Sequence, residues 1–267
     1  MNILEKIVRA KQADLDILKA STPVASLEKS EYFQSGTRSL EKALTDTKRH
    51  GIIAEFKKQS PSKGVINSSA LPQKVCPLYL EAGASAISVL TNREFFGGCN
   101  KDLVKTRRVC NGPVLRKEFI IDEYQVIESK SIGADAILLI ADILNKNQLK
   151  NLYSLALSLK MEVLLEIHDE GGIKKLPSDS VIIGINSRNL GNFSINMDIL
   201  NTIINMLPEE SIKVAESGIQ SAQKLIELKN IGFTGFLIGE LFMKETDPGA
   251  ACRKFIQDIK YRKSGSA

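Results

Sequence analysis

Glu55 and Lys57 stand two residues apart in the stretch AEFKKQSPSKG, Ala54 to Gly64. On a β-strand that spacing puts both side chains on one face. The residues Gly51–Phe56 read as a short apolar strand, and strands of a parallel sheet are buried on both faces. A charge buried without a partner is costly, so a carboxylate and an ammonium at such a place are paired, functional, or both. Together they can hold an anion and move a proton. Ser60-Pro61-Ser62-Lys63-Gly64 follows as a polar loop able to move or to hold an anion. A surface ion pair at a strand end explains this stretch equally well, so the rest of the chain must decide.

The elements that would position these residues repeat along the chain. Leu4, Ile7, Val8, Leu15 and Leu18 recur at helical spacing and predict an amphipathic helix ending near Ser21-Thr22-Pro23; a second is expected over Ser39–Arg49. From Gly51 onward a short apolar run, a polar loop and an amphipathic segment alternate. The expected strands are Gly51–Phe56, Ala86–Leu90, Val114–Phe119, Ala136–Ile140, Glu162–Ile167, Val181–Ile185, Lys213–Ala215 and Gly235–Ile238. The expected helices between and after them are Leu71–Ala82, Lys101–Arg108, Glu123–Ile132, Lys146–Lys160, Asp169–Leu176, Asp198–Met206, Ser221–Lys229 and Pro248–Tyr261. Gly83, Gly133 and Gly232 sit where such helices end and feed the next strand. Strict alternation means a parallel sheet, and eight units without a leftover strand predict a closed (β/α)8 TIM barrel over residues 51–262. Residues 1–50 are expected to form a helical extension packed on it, and 263–267 a disordered tail. A doubly wound sheet is the alternative, weakened because neither G-x-G-x-x-G nor G-x-x-x-x-G-K-[ST] follows the first strand.

In such a barrel chemistry sits at the C-terminal ends of the strands. The exits supply Glu55 and Lys57; Thr91, then Phe95-Phe96-Gly97-Gly98; Arg116, Lys117 and Phe119; Leu138; Glu166; Asn186, Arg188 and Asn189; Glu216, Ser217 and Gly218; Gly239 and Glu240. Any one of these is explained as a solvated strand-end residue. Lysines and glutamates converging on one mouth are not, unless they neutralise one another. Ser217-Gly218-Ile219 and Ile238-Gly239-Glu240 follow the seventh and eighth strands, where barrels of this kind bind phosphate. Phe95, Phe119 and Leu138 are placed to wall a flat apolar ring. His168, two residues beyond Glu166 and without a partner in view, reads as a turn or helix-start residue.

Composition narrows the class. The chain has 267 residues, 43% apolar and 25% charged, with a net charge of +5. That balance suits a small anionic substrate; no Lys/Arg block marks a nucleic-acid face. Cys76, Cys99, Cys110 and Cys252 are scattered, and His50 and His168 are the only histidines, a poor basis for a zinc site or a disulfide framework. The start, MNILEKIVRAKQ, lacks a signal peptide's apolar core, and no apolar run approaches the roughly 20 residues of a membrane span. A cytoplasmic protein without a membrane partner is expected.

AEFKKQSPSKG, LTNREFFGG, VLRKEFIIDEYQ, ADAILLI, LLEIHDE, IGINSRNL, VAESGI and FLIGE, collinear from about Ile52 to Lys244, resemble the indole-3-glycerol phosphate synthase family of tryptophan biosynthesis. Two departures are small: Ser187 stands where Asn is common, and Ala215 where Ser is common. The resemblance implies a lyase that converts 1-(2-carboxyphenylamino)-1-deoxyribulose 5-phosphate to indole-3-glycerol phosphate, releasing carbon dioxide and water, without cofactor or metal. It implies Lys117 as general acid, kept charged by Glu55 or Glu166. Lys57 would hold the carboxylate or phosphate or serve as a second acid, and Glu166 would be the base of the dehydration. Asn186, Arg188, Glu216 and Ser217 would orient hydroxyls and carboxylate. Ser60, Phe95, Phe119, Leu138, Gly218, Gly239 and Glu240 complete the expected binding site. A monomer is the expected state, with other enzymes of tryptophan biosynthesis as candidate partners. Three rivals differ in what they require. Phosphoribosylanthranilate isomerase needs a Cys–Asp pair at strand ends, a non-catalytic barrel should have lost a charged residue, and a fused enzyme should continue past the eighth helix.

Overall fold

The structure, a computed structural model, describes residues 3–188 and 194–264. Eight parallel strands close into a barrel: β1 (Ile52–Phe56), β2 (Ala86–Leu90), β3 (Val114–Lys117), β4 (Ala136–Ile140), β5 (Glu162–Ile167), β6 (Ile182–Asn186), β7 (Ile212–Glu216) and β8 (Gly235–Ile238). β8 pairs back onto β1, Ile52 opposite Phe236. The expected strands are all present, four with the expected bounds and four with shifted ends. β3 stops at Lys117 rather than Phe119, while β6 and β7 run on to include Asn186 and Glu216. A two-stranded ribbon, Gln59–Ser60 with Gly64–Val65, follows β1.

Strand alternation divides the core. Ile53, Leu115, Leu138, Leu164, Val214 and Leu237 belong to one apolar cluster that fills the barrel. Their strand neighbours, such as Ala54, Val89, Leu139, Leu165, Ala215 and Phe236, belong to a second that packs under the helices. With a period of two, the next inward positions after the filling layer are Glu55, Lys117, Glu166, Asn186 and Glu216. The barrel's own packing therefore lifts these polar side chains into the mouth. Gly51 opens β1 at φ +71°, and a Cβ there would lie 1.8 Å from the Thr234 carbonyl oxygen.

The helices on the outside follow the expected order, with two informative differences. The helix expected over Asp169–Leu176 is a single turn, Glu170–Ile173, because its sequence carries Gly171-Gly172 and Asp169 caps it through the Gly172 amide. The last helix, Pro248–Ser264, passes the expected end at Tyr261; residues 265–267 of the expected tail lie outside the described residues.

Among the described residues three helices precede β1. α1 (Ile3–Ser21) buries Ile7, Lys11 and Leu15. Lys11 Nζ lies 3.3 Å from Glu118, Lys19 Nζ 2.7 Å from Asp122, and Tyr124 donates to the Leu18 and Thr22 carbonyls, so α1 lies beside the rim past β3. α2 (Val24–Leu27) packs against the helix Glu123–Ser131. α3 (Leu40–Thr45), shorter than the expected Ser39–Arg49, starts at the Ser39 cap and sends Leu40 and Leu44 into the cluster with Ile53, Ala86, Ile182 and Ile212 at the strand starts. The Glu41 amide donates to Glu162 at the start of β5, which fixes α3 across the barrel floor.

Candidate active site

A cavity of about 880 Å³ opens at the C-terminal ends of the strands. Its floor is built around one lysine. Lys117 Nζ, from β3, donates to Glu216 Oε2 of β7 at 2.8 Å and to Glu166 Oε2 of β5 at 3.0 Å. Glu166 Oε1 accepts from Asn186 Nδ2 at 3.1 Å, and Asn186 Oδ1 in turn accepts from the Arg188 amide at 3.0 Å. A second pair stands beside this group, Lys57 Nζ 2.7 Å from Glu55 Oε1. The carboxylates that hold Lys117 are thus Glu166 and Glu216. Glu55, one of the two expected partners, pairs directly with Lys57 and favours the Lys117 charge from beside the clamp.

Two glycines seat these carboxylates. A Cβ at Gly184, inward on β6, would lie 2.2 Å from Glu216 Oε1; one at Gly239 would lie 2.4 Å from Glu55 Oε1. Gly184 escaped the sequence reading because its strand neighbours are all apolar and only the β6–β7 register brings Glu216 over it.

Burial and crowding set the protonation states. For Lys117 burial opposes the charge, but Glu166, Glu216 and Glu55 outweigh it, and the ammonium is held well above its ordinary range. The two glutamates titrate as a linked pair. Burial and repulsion from Glu166 push the Glu216 carboxyl up to about 8, against the pull of Lys117. Glu166 is buried too, yet Lys117, His168 and Asn186 together hold it down to about 2. We assign the shared proton to Glu216, since Glu166 has two donors, Lys117 and Asn186, with His168 beside it, and Glu216 Oε1 is buried without a hydrogen bond. The floor therefore presents a charged acid, an ionised carboxylate that can take a proton, and a carboxyl poised near neutrality.

The rim divides into an apolar and a polar side. Leu90, Phe96, Phe119, Leu138 and Ile140 form a wall, with the Phe96 and Phe119 ring centres 6.0 Å apart. The sequence assigned this place to Phe95; in the one-turn helix Arg93–Phe96 the neighbouring ring, Phe96, faces the cavity. Opposite lie Ser217 and Gly218, both left-handed at φ 66° and 73°. Ser187 Oγ supports that turn, donating to the Glu216 and Ser217 carbonyls at 3.2 and 3.3 Å. A Cβ on Gly218 would meet Met197 Sδ at 2.5 Å. Gly239 leads into the short helix Glu240–Met243. Ser60, Arg188 and Glu240 border this side, Arg188 donating to Ser62 Oγ at 3.2 Å and lying 4.0 Å from Glu240. Lys63, Ile195 and Lys244 also line it, residues that no strand-exit rule selects.

Three expectations fall elsewhere. Arg116 points out of the barrel, bonded to Glu128 at 2.6 Å, Ser129, Asn100 and Thr91, and Thr91 donates to Glu118. Alternation decides this, because Lys117 faces in. Asn189 lies outside the described residues. His168 does sit in the bend before the helix that Asp169 caps, but it is not without a partner: the imidazole stands 3.0 Å from Asp142 and 3.3 Å from Glu166. Among the described residues no cluster of three or more His, Cys, Asp or Glu side chains is arranged to hold a metal.

Comparison with known proteins gives the family. Residues 4–255 match the family model described as indole-3-glycerol phosphate synthase. The chain is 41% identical over 259 residues to a protein of that name from Bacteroides thetaiotaomicron, covering 97% of this chain and 99% of the relative. It is 43% identical over 244 residues to one from Campylobacter fetus, covering 91% and 95%. Among solved structures it resembles the tryptophan synthase alpha subunit from Legionella pneumophila, with TM-score 0.62, 10% identity and 86% and 100% coverage. It also resembles 3-hexulose-6-phosphate synthase from Salmonella typhimurium, with TM-score 0.59, 12% identity and 79% and 99% coverage. At those identities the likeness shows the barrel fold alone. The matched length and identity of the named relatives show that this chain belongs to the indole-3-glycerol phosphate synthase family.

Proposed function

We propose that the cavity converts 1-(2-carboxyphenylamino)-1-deoxyribulose 5-phosphate to indole-3-glycerol phosphate by general acid–base catalysis, as a carboxy-lyase of tryptophan biosynthesis. The observation that carries this reading is Lys117 clamped between Glu166 and Glu216, below an apolar wall on one side and the Ser217-Gly218 turn on the other.

The substrate's parts fit that division. Its aromatic ring lies against Phe96, Phe119 and Leu138, and its phosphate takes the turn at Ser217-Gly218 and Gly239, where glycine allows close backbone approach. Asn186, Ser217, Arg188 and Ser60 orient hydroxyls and carboxylate. As the ring carbon bearing the carboxylate attacks the ketone carbon, Lys117 gives its proton to the ketone oxygen. The new bond leaves the ring nitrogen positively charged, and that centre accepts the electron pair as carbon dioxide leaves. In the dehydration Glu166 takes a proton and Lys57, charged beside Glu55, protonates the departing hydroxyl. Glu216 holds Lys117 in line, and Glu240 balances Arg188 and Lys63 at the rim.

The helices ahead of β1 serve as an extension that flanks the rim and closes the floor, a role supported by the Lys11–Glu118 pair and by Leu40 and Leu44. The protein works as a monomer in the cytoplasm, a reducing compartment that its unpaired cysteines fit. Fluorescence of the indole product, formed by purified protein from the synthetic substrate, tests the function. Product formation that Lys117→Ala abolishes is expected. Substrate binding without product would leave a non-catalytic barrel, and no binding would remove the ligand assignment.

A further inference from the structure

His168 is one of two histidines in the chain, and the steps above give it no part. It follows β5, and the alternation that turns Glu166 inward turns His168 the same way, one step nearer solvent. Its side chain is 11% exposed, yet it is not among the residues that line the cavity. Nδ1 lies 3.0 Å from Asp142 Oδ2, in the turn Ala141–Ile143 after β4, and Nε2 lies 3.3 Å from Glu166 Oε1. Both are charge contacts rather than aligned hydrogen bonds.

A neutral imidazole has one N–H and one lone pair, so between two carboxylates it must turn the lone pair toward one of them. Only the imidazolium offers N–H to both. The surrounding charges favour it: Asp142 from the β4 turn, Glu166 on β5 and Glu216 on β7 are acidic, while Lys117 stands beyond Glu166. Lys175 is occupied by the Ala141 and Leu144 carbonyls, and Asp169 by the Gly172 amide. Burial opposes the charge, but Asp142 and Glu166 outweigh it and raise the imidazole above its ordinary range.

We propose that His168, held charged by Asp142, is a positioning residue that fixes Glu166 Oε1 for proton transfer and limits activity to the pH range in which the imidazole keeps its proton. This rests on the function given above. With Oε2 on Lys117 and Oε1 shared by Asn186 and His168, the carboxylate has one orientation. Loss of the imidazolium charge leaves Oε1 held by Asn186 alone and loosens the alignment of Glu166.

The test combines imidazole NMR titration of the full chain with the pH dependence of kcat. With only two histidines, His168→Gln assigns the signal by its disappearance. The wild-type signal should titrate above about 6.5 and move down in Asp142→Asn. The alkaline fall of kcat should move to lower pH in Asp142→Asn and vanish in His168→Gln. At the optimum, His168→Gln should lower kcat about tenfold with KM within about twofold, the loss typical of removing an outer residue that orients a reacting group. A wild-type signal at or below its ordinary value, or an Asp142→Asn profile whose alkaline fall stays at the wild-type pH, overturns the proposal. Asp142 is 29% exposed and Asn matches its shape, so that variant carries the test should His168→Gln not fold. A wild type that binds substrate but forms no indole overturns the function above; one that forms indole with either overturning result removes only the role of His168.

Discussion

At the residue scale the balance of one ammonium against two carboxylates decides the chemistry. Lys117→Met should leave the barrel folded, because Glu166 and Glu216 can then share a proton. Its kcat should fall by about 10²–10⁴, the usual weight of a general acid. Near-wild-type turnover in steady-state assays would remove Lys117 from that role. Glu216 gives a separate, pH-dependent outcome. Its carboxyl sits near 8 in the fold against 4.5 ordinarily, so between those values the folded chain keeps a proton the unfolded chain has released. Its contribution to stability therefore declines as pH rises through that window. Glu216→Gln keeps the neutral shape, and its melting temperature relative to wild type should climb from pH 5 to pH 8, levelling above it. A constant gap between the two proteins would contradict the assignment. The glutamates and lysines themselves were legible as charges at the ends of apolar strands. Which of them touch was not, because the Lys117–Glu216 contact spans 99 residues of sequence and depends on barrel closure.

At the element scale the strands act as rulers, and glycines mark where the ruler must yield. Gly184→Ala would drive its Cβ into Glu216 Oε1 and push that carboxylate off Lys117. A displacement near 1 Å in a reacting group can cost about 10²-fold, so kcat should drop by that order while circular dichroism stays unchanged. Retained kcat would mean that Glu216 need not touch Lys117. Gly51→Ala should do the reverse. Left-handed backbone and overlap with the Thr234 carbonyl should cost about 2–4 kcal/mol, read by urea unfolding, with turnover of the folded fraction intact. Element order was readable because hydrophobic period and Gly punctuation are local signals. The one-turn helices were not, since the inward choice of Phe96 over Phe95 depends on the angle at which a four-residue turn leaves β2.

At the scale of the whole molecule, stability and chemistry occupy opposite ends of one barrel. The mouth spends conformational freedom on buried charges, left-handed Ser217 and close carboxylates, while at the opposite end Leu40 and Leu44 plug the strand starts with apolar side chains. Between them lies the filling layer of Ile53, Leu115, Leu138, Leu164, Val214 and Leu237, a close-packed apolar spacer that separates the two ends. Leu44→Ala removes a side chain that is 4% exposed, and deletions of that kind cost about 2–5 kcal/mol. Because the cavity it leaves lies below the spacer, kcat and KM at a temperature where the variant is folded should stay within about twofold of wild type. Chemical unfolding and steady-state kinetics on one preparation measure both. A large loss of stability with kinetics preserved is expected; a parallel fall in kcat would mean that α3 shapes the mouth through the barrel and that floor and mouth form one mechanical unit.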